Sequence, residues 1–301
     1  MELWIPIAIL AALSQAIRTA IQRHMKGPLG DYGASAIRFI YAIPFAWLWF
    51  SLVFYGGGEN AFPSFNTWFF VWMTFGAIAQ ITFTVFLVKL FSYKNFLVGI
   101  AFSKTEVLFA AIIEAIMLSS MINFQFGIAI IFGTIAMIFL SLKGSIFSAK
   151  DIYLSLKSYS TFIGLLSAIT LAVSVITFRL AVNSLESGDF LFRATTTAAI
   201  AVVGQAIVMI VYLMMYRKNE LIAVLKLWKP GITAGFFAAI TTASWFSAFA
   251  LYTAAPVRAV GQIELIFSLA ITVFVFHQKI SRIETFGVLL LIISILLVVF
   301  D

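Results

Sequence analysis

The chain of 301 residues is 63% hydrophobic and 10% charged, with a mean hydropathy of +1.09, whereas roughly a quarter of residues are charged in a soluble domain. That composition excludes a water-soluble globule and makes the bilayer the solvent, and uninterrupted apolar runs of about 20 residues select helices over a barrel. The net charge of +7 is scattered singly through short loops, which argues against a nucleic-acid patch, and the absence of cysteine excludes disulfides and thiol chemistry.

Ten spans are predicted, each sufficient to cross a hydrocarbon core of about 30 Å at 1.5 Å per residue. They lie near 3–23, 32–55, 66–90, 95–118 and 122–142, then 159–181, 187–215, 230–251, 256–277 and 282–300. The opening run, Leu3 to Ile21, has no preceding basic residue and no small-x-small cleavage site. It is expected to be a permanent span rather than a signal peptide. Turn chemistry marks the breaks: Lys26-Gly27-Pro28, Gly56-Gly57-Gly58, Pro63, Lys229-Pro230-Gly231, and Pro256 at a span start. Pro44 predicts a kink in the second span, because it removes a backbone donor and clashes with the preceding turn. Gly231, Gly235 and Ala239 give the eighth span a ridge of small residues for close helix contact. The fifth and tenth spans carry almost no interior polar groups and are expected to pack at the periphery.

The two halves repeat each other. Gly30-Asp31-Tyr32 recurs 158 residues later as Gly188-Asp189-Phe190, and the same offset carries Glu106 onto Glu264. Phe126-Gly127-Ile128 aligns with Phe286-Gly287-Val288 after a two-residue gap, and Gly76 falls near Gly235. The predicted organisation is therefore a first five-helix unit over 1–146, a linker over 147–158 and a second unit over 159–301. An odd number of spans per unit inverts the second copy, an architecture typical of secondary transporters.

Lysine and arginine crowd the loops after the odd-numbered spans, as at Lys89, Lys94, Lys143, Lys150, Lys157, Arg217 and Lys218. The opposite side has Arg258, with Arg193 just inside a span. The odd loops are then cytoplasmic and both termini periplasmic. Tryptophans such as Trp47, Trp68 and Trp228 fit interfacial belts, but Trp245 lies too deep for one.

Charge inside hydrocarbon must face protein, water or a partner. Lys104 and Glu106 lie about 13–16 Å into the fourth span, close to the midplane, and Gln262 and Glu264 occupy the matching depth in the ninth. Residues two apart point to different sides of a helix, so Lys104 and Glu106 each need a partner elsewhere. Gln15 and Gln80 are central polar residues in the first and third spans. Together with Trp245 these residues form the candidate translocation path: Gln15, Gln80, Lys104, Glu106, Trp245, Gln262 and Glu264. The structural alternative is an interhelical ion pair, with Gln, Ser and Thr as helix glue. Arg18 and Arg38 are expected to snorkel toward headgroups, Glu114 and Arg258 to sit near the outer interface, and Asp189 to pair with Arg193 one turn away. Arg18, Asp31, Arg38, Asp189 and Arg193 are thus expected at helix ends or gates. His24 and His277 sit at helix ends, and no spacing suits a metal or a cofactor.

Ten spans, two inverted five-helix units, short loops and duplicated Gly-Asp-aromatic starts resemble the drug/metabolite transporter superfamily with two EamA-type domains, across essentially the whole chain. Within it the sequence looks most like the bacterial amino-acid exporters, the aromatic branch in particular. The resemblance implies an all-α integral membrane protein of ten helices around a central cavity. It implies export of amino acids or similar metabolites across the bacterial inner membrane by alternating access. The only partners then implied are the solute, lipid and, if the protein is not monomeric, a second copy. A multidrug or lipophilic-cation exporter of the same fold is the alternative, given 33 phenylalanines and membrane carboxylates. No Gly-x4-Gly-Lys-Ser/Thr loop exists to bind ATP, and no His-Glu-x-x-His or Gly-x-Ser-x-Gly supports an enzyme.

Overall fold

Backbone in hydrocarbon must satisfy its own hydrogen bonds, and in the computed structural model every regular element among the described residues is helical. These residues are 2–56, 63–118, 124–141, 153–154, 156–252, 257–258 and 260–299. Gly57-Gly58, Pro256 and most of the expected linker 147–158 lie outside them.

In chain order the helices are α1 (Trp4–Ile40), α2 (Ile43–Gly56), α3 (Thr67–Leu90), α4 (Phe96–Lys104), α5 (Glu106–Leu118) and α6 (Phe124–Ser141). There follow α7 (Tyr159–Asn183), α8 (Phe190–Tyr216), α9 (Lys218–Lys226) and α10 (Trp228–Leu251). A 3-10 turn at Gly261–Ile263 then leads into α11 (Glu264–Ala270), a π-helical turn at Ile271–Val275 and α12 (Arg282–Val299). Five stretches are long and apolar enough to cross a membrane: Trp4–Gly56, Thr67–Leu90, Tyr159–Asn183, Phe190–Tyr216 and Trp228–Leu251. Their outward side chains are large and apolar, as at Trp47, Leu48, Leu52, Phe75, Ile207 and Val211. A membrane protein presents this kind of surface to lipid.

Where these helices start follows from local chemistry. Asn66, Asn95 and Asp189 each accept a hydrogen bond from the backbone N–H three residues on, all at 2.8 Å. Each thereby fills an orphan donor at a helix start. Helix α1 is interrupted at Gly30, whose φ of 70° only glycine adopts readily. There the chain doubles back. Gln22 Nε2 donates to the Ala34 carbonyl at 3.0 Å, whereas a straight helix would hold those residues about 18 Å apart. Glu220 on α9 caps the returning leg by accepting the Gly33 N–H at 2.7 Å.

Four interruptions shape the interior. Tyr41 and Ala42 separate α1 from α2, one turn before Pro44, where the proline deprives the Ile40 carbonyl of its donor. Thr105 separates α4 from α5. The Ser103 and Thr105 hydroxyls bond back to the carbonyls of Ile100 and Phe102 at 2.7 and 2.8 Å, competing with the helical ladder. The segment before α12 tightens at Gly261–Ile263 and widens at Ile271–Val275, ending at His277 with φ of 49°.

Packing partners are selective. Helix α1 lies along α10, α3 along α7, α2 along α8, and α6 along α12. Small residues permit the closest approaches. A Cβ at Gly235 would fall 2.2 Å from the Tyr41 backbone, and one at Gly76 would fall 3.0 Å from Thr177 and Phe178. The small-residue ridge of α10 therefore receives Tyr41 at the break between α1 and α2. Helices α6 and α12 pack chiefly on each other, away from the polar interior.

Candidate functional site

The interruptions at Thr105 and Gly261–Ile263 each place a glutamate at the first residue of the helix beyond: Glu106 opens α5 and Glu264 opens α11. Both are 1% exposed, so each carboxylate needs protein partners. Glu264 Oε2 accepts from Gln15 Nε2 at 2.7 Å and is ion-paired with Lys104 of α4. Glu106 Oε1 is ion-paired with Arg258, at the start of the last broken segment. Each pair joins the first half of the chain to the second, and each takes its cation from the opposite half to its carboxylate.

A hydrogen-bond relay links the pairs to a cavity. Gln15 turns its carbonyl oxygen to Trp245 Nε1 at 2.9 Å while its amide holds Glu264. The Arg258 guanidinium lies 4.7 Å from the Trp245 ring centroid, a cation–π contact of a desolvated kind. A Cβ on Gly261 would fall 2.5 Å from the Trp245 ring, so the 3-10 turn leaves the room in which that indole lies. Trp245 is thus deep because its indole N–H has an internal partner, which a belt tryptophan would seek at the interface.

The cavity measures about 30 Å³, room for about one water. Gln15, Arg38, Gln80, Ser174, Thr241, Thr242 and Arg258 supply its polar wall, and Phe83, Phe178, Trp245, Phe246 and Phe249 much of its apolar one. Gln80 accepts from Gln205 Nε2 at 2.8 Å, and its backbone carbonyl accepts from the Thr84 hydroxyl at 2.7 Å. Thr84 in turn accepts from Arg38 NH1 at 3.1 Å.

Of the predicted path, Gln15, Gln80 and Trp245 line the cavity, while Lys104, Glu106 and Glu264 stand behind it in the paired layer. Gln262 serves its own helix, donating to the Arg258 carbonyl at 2.9 Å. Several expectations need correction. Arg18 and Arg38 do not snorkel: they are 1% and 4% exposed, and Arg38 is part of the cavity wall. Arg258 is interior, not interfacial, and Glu114 has a side chain outside the described residues. Asp189 caps α8 through Phe192 N–H, and no ion pair joins it to Arg193 among the described residues. Asp31 pairs with Lys26 across the Gly30 turn.

Sequence reasoning missed Arg258 and Gln205 as site residues. Arg258 carried a usable signal, since it lies one turn before Gln262 in a segment bearing Glu264. Counting depth from the segment's start concealed it, because depth along a helix says nothing of which side faces protein. The helix α9 contribution, Glu220, had no local signal.

No protein-family model matches the chain, and no curated protein matches it. Solved structures do. One, described as "Crystal structure of protein", superposes with a TM-score of 0.61 at 14% identity, over 98% of this chain and 94% of that one. At that identity the likeness establishes a shared fold.

Proposed function

We propose that this chain is a secondary transporter exporting small metabolites, amino acids among them, across the bacterial inner membrane by alternating access. In this reading ten spans form two inverted five-helix units, as in the EamA-type drug/metabolite transporters, and both termini are periplasmic. The carrying observation is the matched pair of broken helices. Thr105 and Ile263, 158 residues apart, stand immediately before Glu106 and Glu264, and the two breaks bring buried charges of both halves beside one polar cavity. Discontinuous helices that meet near mid-membrane are how transporters build solute sites.

The packing pattern supports the repeat. Exchanging the halves turns the α1–α10 contact into the α7–α3 contact, and it leaves the α2–α8 and α6–α12 contacts as they are. Gly30 and Gly188, again 158 apart, are the positive-φ glycines among the described residues, at 70° and 86°. A water-sized cavity bounded by ion pairs between halves fits a closed state, from which breaking one set of contacts opens one side. With no nucleotide loop in the sequence, the driving force is the solute gradient or a coupled ion.

Efflux from vesicles tests this. Purified chain reconstituted into liposomes is expected to release preloaded phenylalanine, leucine or threonine faster than protein-free liposomes. Equal rates for all of them, with the protein folded, would remove the proposal. The aromatic wall of Phe83, Phe178, Trp245, Phe246 and Phe249 favours a second reading, export of lipophilic cations. Block of amino-acid efflux by tetraphenylphosphonium, without block by competing amino acids, would select it.

A further inference from the structure

Four buried cations surround the cavity and its paired layer: Arg18, Arg38, Lys104 and Arg258. Two buried carboxylates, Glu106 and Glu264, answer them, and both are already taken by Arg258 and Lys104. Arg18 lies within electrostatic reach of Glu264, yet its Nε and NH1 have no hydrogen-bond partner. Arg38 is worse off. Its neighbours are the Thr84 hydroxyl and the face of Phe39, at 4.8 Å, its Nε is unpartnered, and the charge that bears on it is the like charge of Arg18. Among the described residues no carboxylate pairs with either arginine.

Arginine does not shed its proton in proteins. Two guanidinium ions in a lipid-embedded interior, neither with a carboxylate paired to it, are costly, and their unfilled donors add to that cost. Arg38 also forms part of the cavity wall, so its charge is accessible to whatever enters. We infer that the solute this cavity takes when it opens carries a carboxylate, held by Arg38 against the aromatic wall, with the second positive charge of Arg18 behind it. The inference rests on the transport reading for its role, but binding alone can test it. It also separates the two readings of that function. A lipophilic cation would add a further like charge to a site already in positive excess, while the planar fork of arginine matches a carboxylate in two parallel hydrogen bonds.

The experiment compares three solutes of one hydrocarbon frame: phenylalanine, 3-phenylpropionate, which lacks the amine, and phenylalaninamide, which lacks the carboxylate. Apparent affinities come from the concentration dependence of the melting midpoint of the purified full chain, with sodium chloride at matched ionic strength as a further arm. Both carboxylates are expected to bind, with the amide weaker by about tenfold or more, as the loss of a charged hydrogen bond implies. Arg38→Gln should erase the preference, and Arg38→Lys, which keeps the charge, should retain part of it. Should the glutamine variant fail to fold, the lysine variant and the wild-type comparison still decide. Equal or tighter binding of the amide, no binding of either carboxylate, protection by chloride alone, or a preference that survives in folded Arg38→Gln would each overturn the inference. Carboxylate binding without vesicle efflux would remove the transport reading and leave the carboxylate site. Efflux of the amide in preference to the acids would do the reverse.

Discussion

Glu106 and Glu264 occupy the same place in the two halves of the chain, each opening a helix after a break and each 1% exposed, yet their surroundings differ. Glu264 is a hub: one oxygen receives both Lys104 and Gln15, and Gln15 passes the connection on to Trp245. Glu106 has one cation, Arg258, and its Oε2 has no partner. Two similarly placed glutamates thus make a firmly held pair in one case and a half-satisfied pair in the other. Buried pairs are stable in proportion to how completely their remaining lone pairs and protons are bonded. The Glu106–Arg258 contact is accordingly the weaker of the two buried ion pairs and, if the chain transports as proposed, the one whose loss is expected to accompany opening.

The largest effect should come from emptying the hub. Lys104→Met leaves Glu264 with Gln15 as its hydrogen-bond partner and Arg18 as a nearby unpaired charge, and losing one member of a buried pair costs about 3–5 kcal/mol. A fall of the melting midpoint with loss of folded protein in the membrane is expected. A variant as stable as the parent would mean that the pair contributes nothing to holding the halves. Glu106→Gln should cost less, about 1–3 kcal/mol, because one oxygen is already unpartnered. Folded protein should persist, with efflux reduced about tenfold or more. If Glu106→Gln proves more damaging than Glu264→Gln in the same melting assay, the ranking of the two pairs is wrong.

Further variants sharpen the contrast. Gln15→Leu removes a neutral hydrogen bond to Trp245 and a charged one to Glu264, about 2–4 kcal/mol together. It should also uncouple Trp245 from Glu264, so that a double-mutant cycle between Trp245→Phe and Glu264→Gln loses its interaction energy in the Gln15→Leu background. Additivity in the parent background would show the relay to be idle. Smallest of all, Lys26→Ala should shift stability by no more than about 1 kcal/mol, since its pair with Asp31 is partly exposed at 18% and 29%. Gly30→Ala, in the same turn, should cost far more, because φ there is 70° and a Cβ would fall 2.6 Å from the Glu220 carboxyl. Urea or thermal melts of the two variants side by side separate backbone strain from surface charge.

Composition and local pattern by themselves determined that this is a helical membrane protein, where most helices start and where the second span is interrupted. Those properties follow from hydrocarbon forcing internal backbone bonding, from caps such as Asn66 and Asp189, and from Pro44, all of which act within a turn or two of the residue concerned. The importance of Lys104, Glu106 and Glu264 was also legible, because a charge in an apolar helix is anomalous wherever it points. Only the tertiary structure decided that Lys104 answers Glu264 while Arg258 answers Glu106, that Arg38 lies in a cavity wall instead of reaching for headgroups, and that Glu220 closes the Gly30 turn. These are contacts between residues 46 to 187 positions apart, and they depend on which face of a broken helix turns inward. Periodicity measures depth along an axis, but side-chain direction past a break depends on what the neighbouring helices leave room for.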